Sequence, residues 1–142
     1  MIRTTLCFTY LVLLGGCATH PVEDSYPHSY GEVFAATKAA VSAFPDVEAD
    51  MASGVITTSW GPGVLAPKVQ GLLQDRPYPE RVRYEIRLGS RENPVSVDVI
   101  ARVQRKAPGG PRSLRWERVP SEGKYEEHLL AAIAMGLEEE AK

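Results

Sequence analysis

The chain has 142 residues, with 44% hydrophobic and 24% charged side chains and a formal net charge of −2. That balance is typical of globular proteins and excludes a collagen-like, a wholly disordered or a multi-span membrane protein. The small negative charge also argues against a chain built to grip nucleic acid, so no nucleic-acid partner is expected.

The N-terminal stretch has the plan of an export signal: Arg3, an apolar run from Leu6 to Leu14, then the small residues Gly15 and Gly16. The run is less than half of the roughly 20 residues that a spanning helix needs. The sequence Leu14-Gly15-Gly16-Cys17 resembles the lipobox of bacterial lipoprotein precursors. That resemblance implies cleavage between Gly16 and Cys17, a diacylglycerol in thioether linkage on the Cys17 sulfur, and an acyl chain on the new amino group. No other cofactor is expected. Two or three buried chains make a lasting attachment where one is marginal. Alanine rather than aspartate at position 18 implies, by the same resemblance, sorting to the outer membrane with the domain facing the periplasm. Cys7 falls in the discarded segment, so lipid uses the remaining cysteine and no disulfide is expected.

Three segments follow from this: 1–16 as signal peptide, 17–28 as lipidated tether, and 29–142 as a periplasmic domain. Ala18 to His28 holds two prolines and no apolar period, and as an extended leash it reaches roughly 35 Å.

Ser29-Tyr30-Gly31-Glu32 has the form of a capping box and opens a helix. Tyr30, Val33, Phe34, Thr37, Val41 and Phe44 recur at the spacing of one buried stripe, and Pro45-Asp46 ends it. Val47, Ala49 and Met51 alternate, Ser53-Gly54 turns, and Ile56, Thr58 and Trp60 alternate again, the pattern of a hairpin. Val82, Tyr84, Ile86 and Leu88 alternate with Arg81, Arg83, Glu85 and Arg87, the clearest strand in the chain. Val95, Val97, Val99, Ala101 and Val103 repeat the period, and Leu114 and Trp116 follow the turn Pro108 to Pro111 as a fifth strand. A C-terminal helix places Tyr125, Leu129, Ala132, Ile133 and Leu137 on one face. The expected fold is α+β: a five-stranded antiparallel sheet in the order α-β-β-β-β-β-α, with both helices on one face.

This order, with the segment Tyr30 through Phe44 to Asp50-Met-Ala-Ser-Gly-Val-Ile-Thr-Thr-Ser-Trp60, resembles a helix-grip domain of BamC-type lipoproteins over residues 29 to 142. That family serves outer-membrane barrel assembly. BamC has two such domains and a long extended N-terminal segment, and this chain shows neither, so the resemblance implies fold and compartment rather than barrel assembly itself.

Charge is segregated. Residues 17–50 carry one lysine against six acids, whereas residues 81–118 carry ten bases against four acids. Arg81, Arg83, Arg87, Arg102 and Arg115 are expected on the polar sheet face as an interaction surface, against the plainer reading of a solvated face laced by Glu85, Asp98 and Glu117. Gly61 to Pro79 is a long insertion in which Leu65, Val69, Leu72 and Leu73 keep helical spacing. It suits a lid, a docking edge or a cover for the core. Trp60, Trp116, Tyr84 and Phe34 read first as core aromatics. His20 and His28 sit in the tether and His128 on the last helix. No spacing of ligands resembles a metal site, and no catalytic residue is expected. The leading expectation is a non-catalytic, lipid-anchored outer-membrane lipoprotein whose domain contacts an envelope protein. The alternative is a module that binds a lipid or other apolar ligand between helix and sheet.

Overall fold

A computed structural model describes residues 20–69 and 76–141. The expected signal peptide, its cleavage point at Gly16 and Cys17, and the lipid-bearing Cys17 lie outside the described residues, as do Leu72 and Leu73. Within them the protein is α+β, with an antiparallel sheet and two helices.

Two long strands make the centre of the sheet. The first, which we term β7 (Glu80–Leu88), buries every second side chain; its neighbour β8 (Val95–Arg105) does the same from Val95 to Val103. Arg83 lies opposite Arg102, Tyr84 opposite Ala101 and Ile86 opposite Val99. A period of two matched across two strands sends all their valines and Ile86 to one face and leaves Ile100 on the other. Beyond β7 lie β3 (Val55–Thr57) and β2 (Glu48–Asp50), the expected hairpin. Its turn uses Gly54 at φ 72°, and the side chain of Asp50 accepts the N–H of Ala52.

The sheet has seven strands rather than the five expected. One addition is β4 (Gly61–Pro62), which pairs with β7 after β3 ends. The other changes the element order. Val22–Tyr26 of the expected tether forms β1, an edge strand paired with Val95–Val99 of β8 ahead of the first helix. Only the part of the tether before Val22 is left as leash, so the extended reach from Cys17 falls from roughly 35 Å to about 18 Å. The fifth expected strand is also displaced. Pro111–Leu114 forms a short 3-10 turn and β9 (Glu117–Val119) pairs with Val103–Arg105 of β8.

Helix α1 (Tyr30–Ala40) starts at the expected capping box: Ser29 Oγ accepts the N–H of Glu32, and the Glu32 carboxylate accepts the N–H of Ser29. The Ser29 hydroxyl, which donates to the Glu32 carboxylate at 2.6 Å, and then the Ser29 N–H hold that carboxyl below its usual range. Helix α2 (Lys124–Glu140) closes the chain. Val33, Phe34 and Val41 from the first helical segment and Tyr125, Leu129, Leu130, Ile133 and Leu137 from α2 join the inward strand residues in one core. Full burial of each such aliphatic side chain is worth about 1.5–3 kcal/mol. Among the described residues no helix is long and apolar enough to cross a membrane.

Candidate functional site

The face of β7 and β8 turned away from the helices carries Arg81, Arg83, Arg87 and Arg102, as the alternation requires. Arg81 organises it. Its guanidinium carbon lies 4.6 Å from the ring centre of Trp60 and 4.5 Å from that of Trp116. Trp60 comes from the β4 side of the sheet and Trp116 from the β9 side, so one arginine joins indoles from opposite flanks. Arg81 also donates through Nε and Nη2 to Oε1 of Gln104, at 2.9 and 2.6 Å. Arg83 lies 5.0 Å from the Trp60 ring centre and Lys106 4.9 Å from that of Trp116. Each such contact is worth about 0.5–1 kcal/mol at an exposed site.

The tryptophans therefore do not join the core, although Tyr84 and Phe34 do. Both indoles are half-buried on the open face. The remaining arginines divide. Arg87 pairs with Glu85 at 2.6 Å, and Arg102 approaches the other oxygen of Glu85 at 4.0 Å. Arg83 and Arg102 flank an open depression of about 260 Å³ together with Thr57 and Glu85. Arg115 is not on this face. It follows the 3-10 turn and reaches Glu117 at 3.5 Å, where Arg112 also binds and holds that carboxyl below its usual range.

A second cleft, of about 340 Å³, opens at the end of the sheet between the start of the Gly61–Pro79 insertion and the start of α2. Its deepest polar group is Glu80, whose side chain is 1% exposed. Glu80 accepts from Arg105 at 2.6 Å and from the Tyr125 hydroxyl, and Tyr125 in turn accepts the N–H of Leu65 at 3.1 Å. Burial, then the bond to Glu80, pushes the Tyr125 hydroxyl well above its ordinary range. The insertion does not take the expected helical form at Val69. Lys68–Val69 (β5) and Arg76–Pro77 (β6) pair as a two-stranded ladder, and Leu65 is partly exposed at the cleft. Backbone pairing across the loop satisfies donors that a short helix would have left open.

The third feature gave no sign in the sequence. Glu126, in the first turn of α2, is 1% exposed. Its Oε1 accepts the N–H of Ala101 at 3.0 Å and the hydroxyl of Ser121 at 2.7 Å, while Oε2 is buried without a partner. His128, two residues on, is exposed. Among the described residues no three His, Cys, Asp or Glu side chains form a group able to hold a metal ion.

The layer between the helices and the sheet is filled by side chains, with Val33, Ile86, Val97, Val99 and Ile133 all at 0% exposure. Compared with models of known protein families and with curated protein sequences, the chain matches none.

Proposed function

We propose that this protein is a non-catalytic lipoprotein of the outer membrane, fastened through lipid on Cys17, whose periplasmic domain binds an envelope protein with the open face of its sheet. The observation that carries the binding role is the linkage of Trp60, Arg81 and Trp116. Arginine and tryptophan are the residue types that concentrate binding energy at protein interfaces. Here their side chains are held in place before a partner arrives, which lowers the ordering cost of association. Arg83, exposed beside them, offers a charge for a carboxylate on the partner. The lipobox resemblance at Leu14 to Cys17 supports the attachment, and the helices on one face of an antiparallel sheet agree with the resemblance to BamC-type helix-grip domains.

A photo-crosslinking residue placed at Arg83 in intact cells should capture one recurrent partner, and the same residue at Met135, on the exposed side of α2, should not. Capture that is equal at both positions, or absent from both, overturns the reading.

The cleft beside Glu80 favours a second reading, a small amphipathic ligand. Leu65, Pro67, Val103 and Val119 supply apolar wall, and Glu80, Arg105 and Lys124 supply charge. A ligand between helix and sheet would instead have to displace a filled core. Native mass spectrometry of the purified chain tests the cleft: a bound species lost on Glu80→Leu supports it, and a bare chain sinks it.

A further inference from the structure

We infer that the loop from Lys106 to Arg115 seats on the anionic lipid surface of the bilayer that holds Cys17, and so fixes the orientation of the domain. The inference rests on the lipid attachment proposed above and concerns the loop beyond the partner-binding face, which it adjoins at Lys106.

The loop projects from the body of the protein: added Cβ atoms at Gly109 and Gly110 would meet nothing within 4 Å. Leu114 is 83% exposed, the most exposed large hydrophobic side chain among the described residues. Around it stand three bases and no acid between Lys106 and Arg115. The side chains of Arg112 and Arg115 are 66% and 71% exposed, and they share one carboxylate, Glu117. Two arginines on one acid, with Lys106 at the start of the loop, leave it positive. An exposed leucine flanked in sequence by Arg112 and Arg115 suits the boundary between phosphate headgroups and acyl chains.

Chain geometry brings the attachment to the same end of the sheet. Val22 pairs with Val99, and β8 runs on to Arg105 before entering the loop. That distance along the strand is about 20 Å. Because β1 is antiparallel to β8, the chain ahead of Val22 heads toward the loop and away from the turn at Gly89 to Pro94. Five residue steps from Val22 back to Cys17 span at most about 18 Å. At that limit the leash ends about 2 Å short of Arg105, at the same end of the sheet as the start of the loop.

The test uses the full-length lipidated chain in vesicles, with Leu114→Cys or, as control, Met135→Cys carrying a fluorescent label; the parent chain gives the labelling background. In phosphatidylglycerol vesicles containing brominated acyl chains, the label at 114 should be quenched severalfold more than the label at 135. In phosphatidylcholine vesicles that difference should shrink. Reversing Arg112 and Arg115 to glutamate should abolish it, since each cation near an anionic surface is worth about fivefold in affinity. A lipidated chain with equal quenching at both positions overturns the seat alone. A purified chain whose mass lacks acyl groups overturns the attachment, and the seat falls with it.

Discussion

The carboxylate of Glu126 accepts the backbone N–H of Ala101 at 3.0 Å, at the place where the outer edge of β8 is left open between β1 and β9. β1 covers the outer edge of β8 from Val95 to Val99 and β9 covers it from Val103 to Arg105. Ala101 falls between them, with its N–H on the outer side, and a side chain from α2 supplies the acceptor that a strand would have given. Glu126→Ala leaves that N–H and the Ser121 hydroxyl unpaired and should cost about 1–3 kcal/mol. Glu126→Gln keeps an acceptor and should cost less. Urea denaturation of the three chains checks the order; equal midpoints for the parent chain and Glu126→Ala would refute the bridging role.

Alkali should unfold the domain earlier than its carboxylates and arginines alone require. Burial, with Asp24 nearby, pushes the Tyr26 hydroxyl up to about 12, and burial also raises Tyr84 and Tyr125. Unfolded tyrosines ionise near pH 10. Their contribution is therefore complete below pH 10 and is lost as pH rises through the folded values. Thermal melts from pH 8 upward should show stability falling above pH 10. Tyr26→Phe should flatten the first part of that fall, at the expense of the bond from Tyr26 to the Leu130 carbonyl.

Gly54 tolerates no side chain. Its φ is 72°, and a Cβ there would lie 2.9 Å from the Leu88 carbonyl oxygen. The N–H of Leu88 donates to the Gly54 carbonyl at 2.8 Å, so the turn is tied to β7 and has no room to shift. Gly54→Ala should lose more than about 1 kcal/mol. A lower urea midpoint with an unchanged slope is the expected result.

Arg81→Ala should release both indoles together. The expected readout is a red shift of tryptophan emission with a stability loss of about 1–2 kcal/mol, two exposed cation–π contacts being removed at once. Arg83→Ala touches only Trp60 and should give about half the effect. Emission spectra that are identical for all three chains would show that the guanidinium does not order the indoles.

Cys17→Ser should move the protein from the membrane fraction to the soluble fraction of lysed cells, because the proposed attachment rests on two or three acyl chains. Retention of the serine variant on membranes would point to the loop or another surface as sufficient by itself.

The long strands were legible because β7 and β8 each have one wet and one dry face, which writes a period of two into the sequence. The capping box was legible because all its atoms lie within four residues. β1 was not. In Val22–Tyr26 only the ends approach the core, and the three residues between them are exposed, so the ladder with β8 holds the strand without an apolar pattern. Glu126 reads locally as an acid suited to a helix N-terminus; its burial follows from a gap 25 residues away in sequence. Trp60 and Trp116 read as core in the sequence because indoles are highly buried on average. Their partner Arg81 is distant from both in sequence, and only the sheet brings the three together. The insertion differs for another reason, since the helical spacing of Leu65 and Val69 makes no helix where Lys68–Val69 pairs as a strand with Arg76–Pro77.

β1 also sets how the fold answers a mechanical load. The strand lies alongside β8 in antiparallel register from Val22 to Tyr26, and the chain enters it at Val22. A pull applied there along the axis strains the rungs of the ladder in shear, all at once, whereas a pull across the edge would open them one by one like a zipper. A polypeptide tugged from its N-terminal end toward a surface level with the far end of β8 thus meets its stiffest response at the first element it reaches.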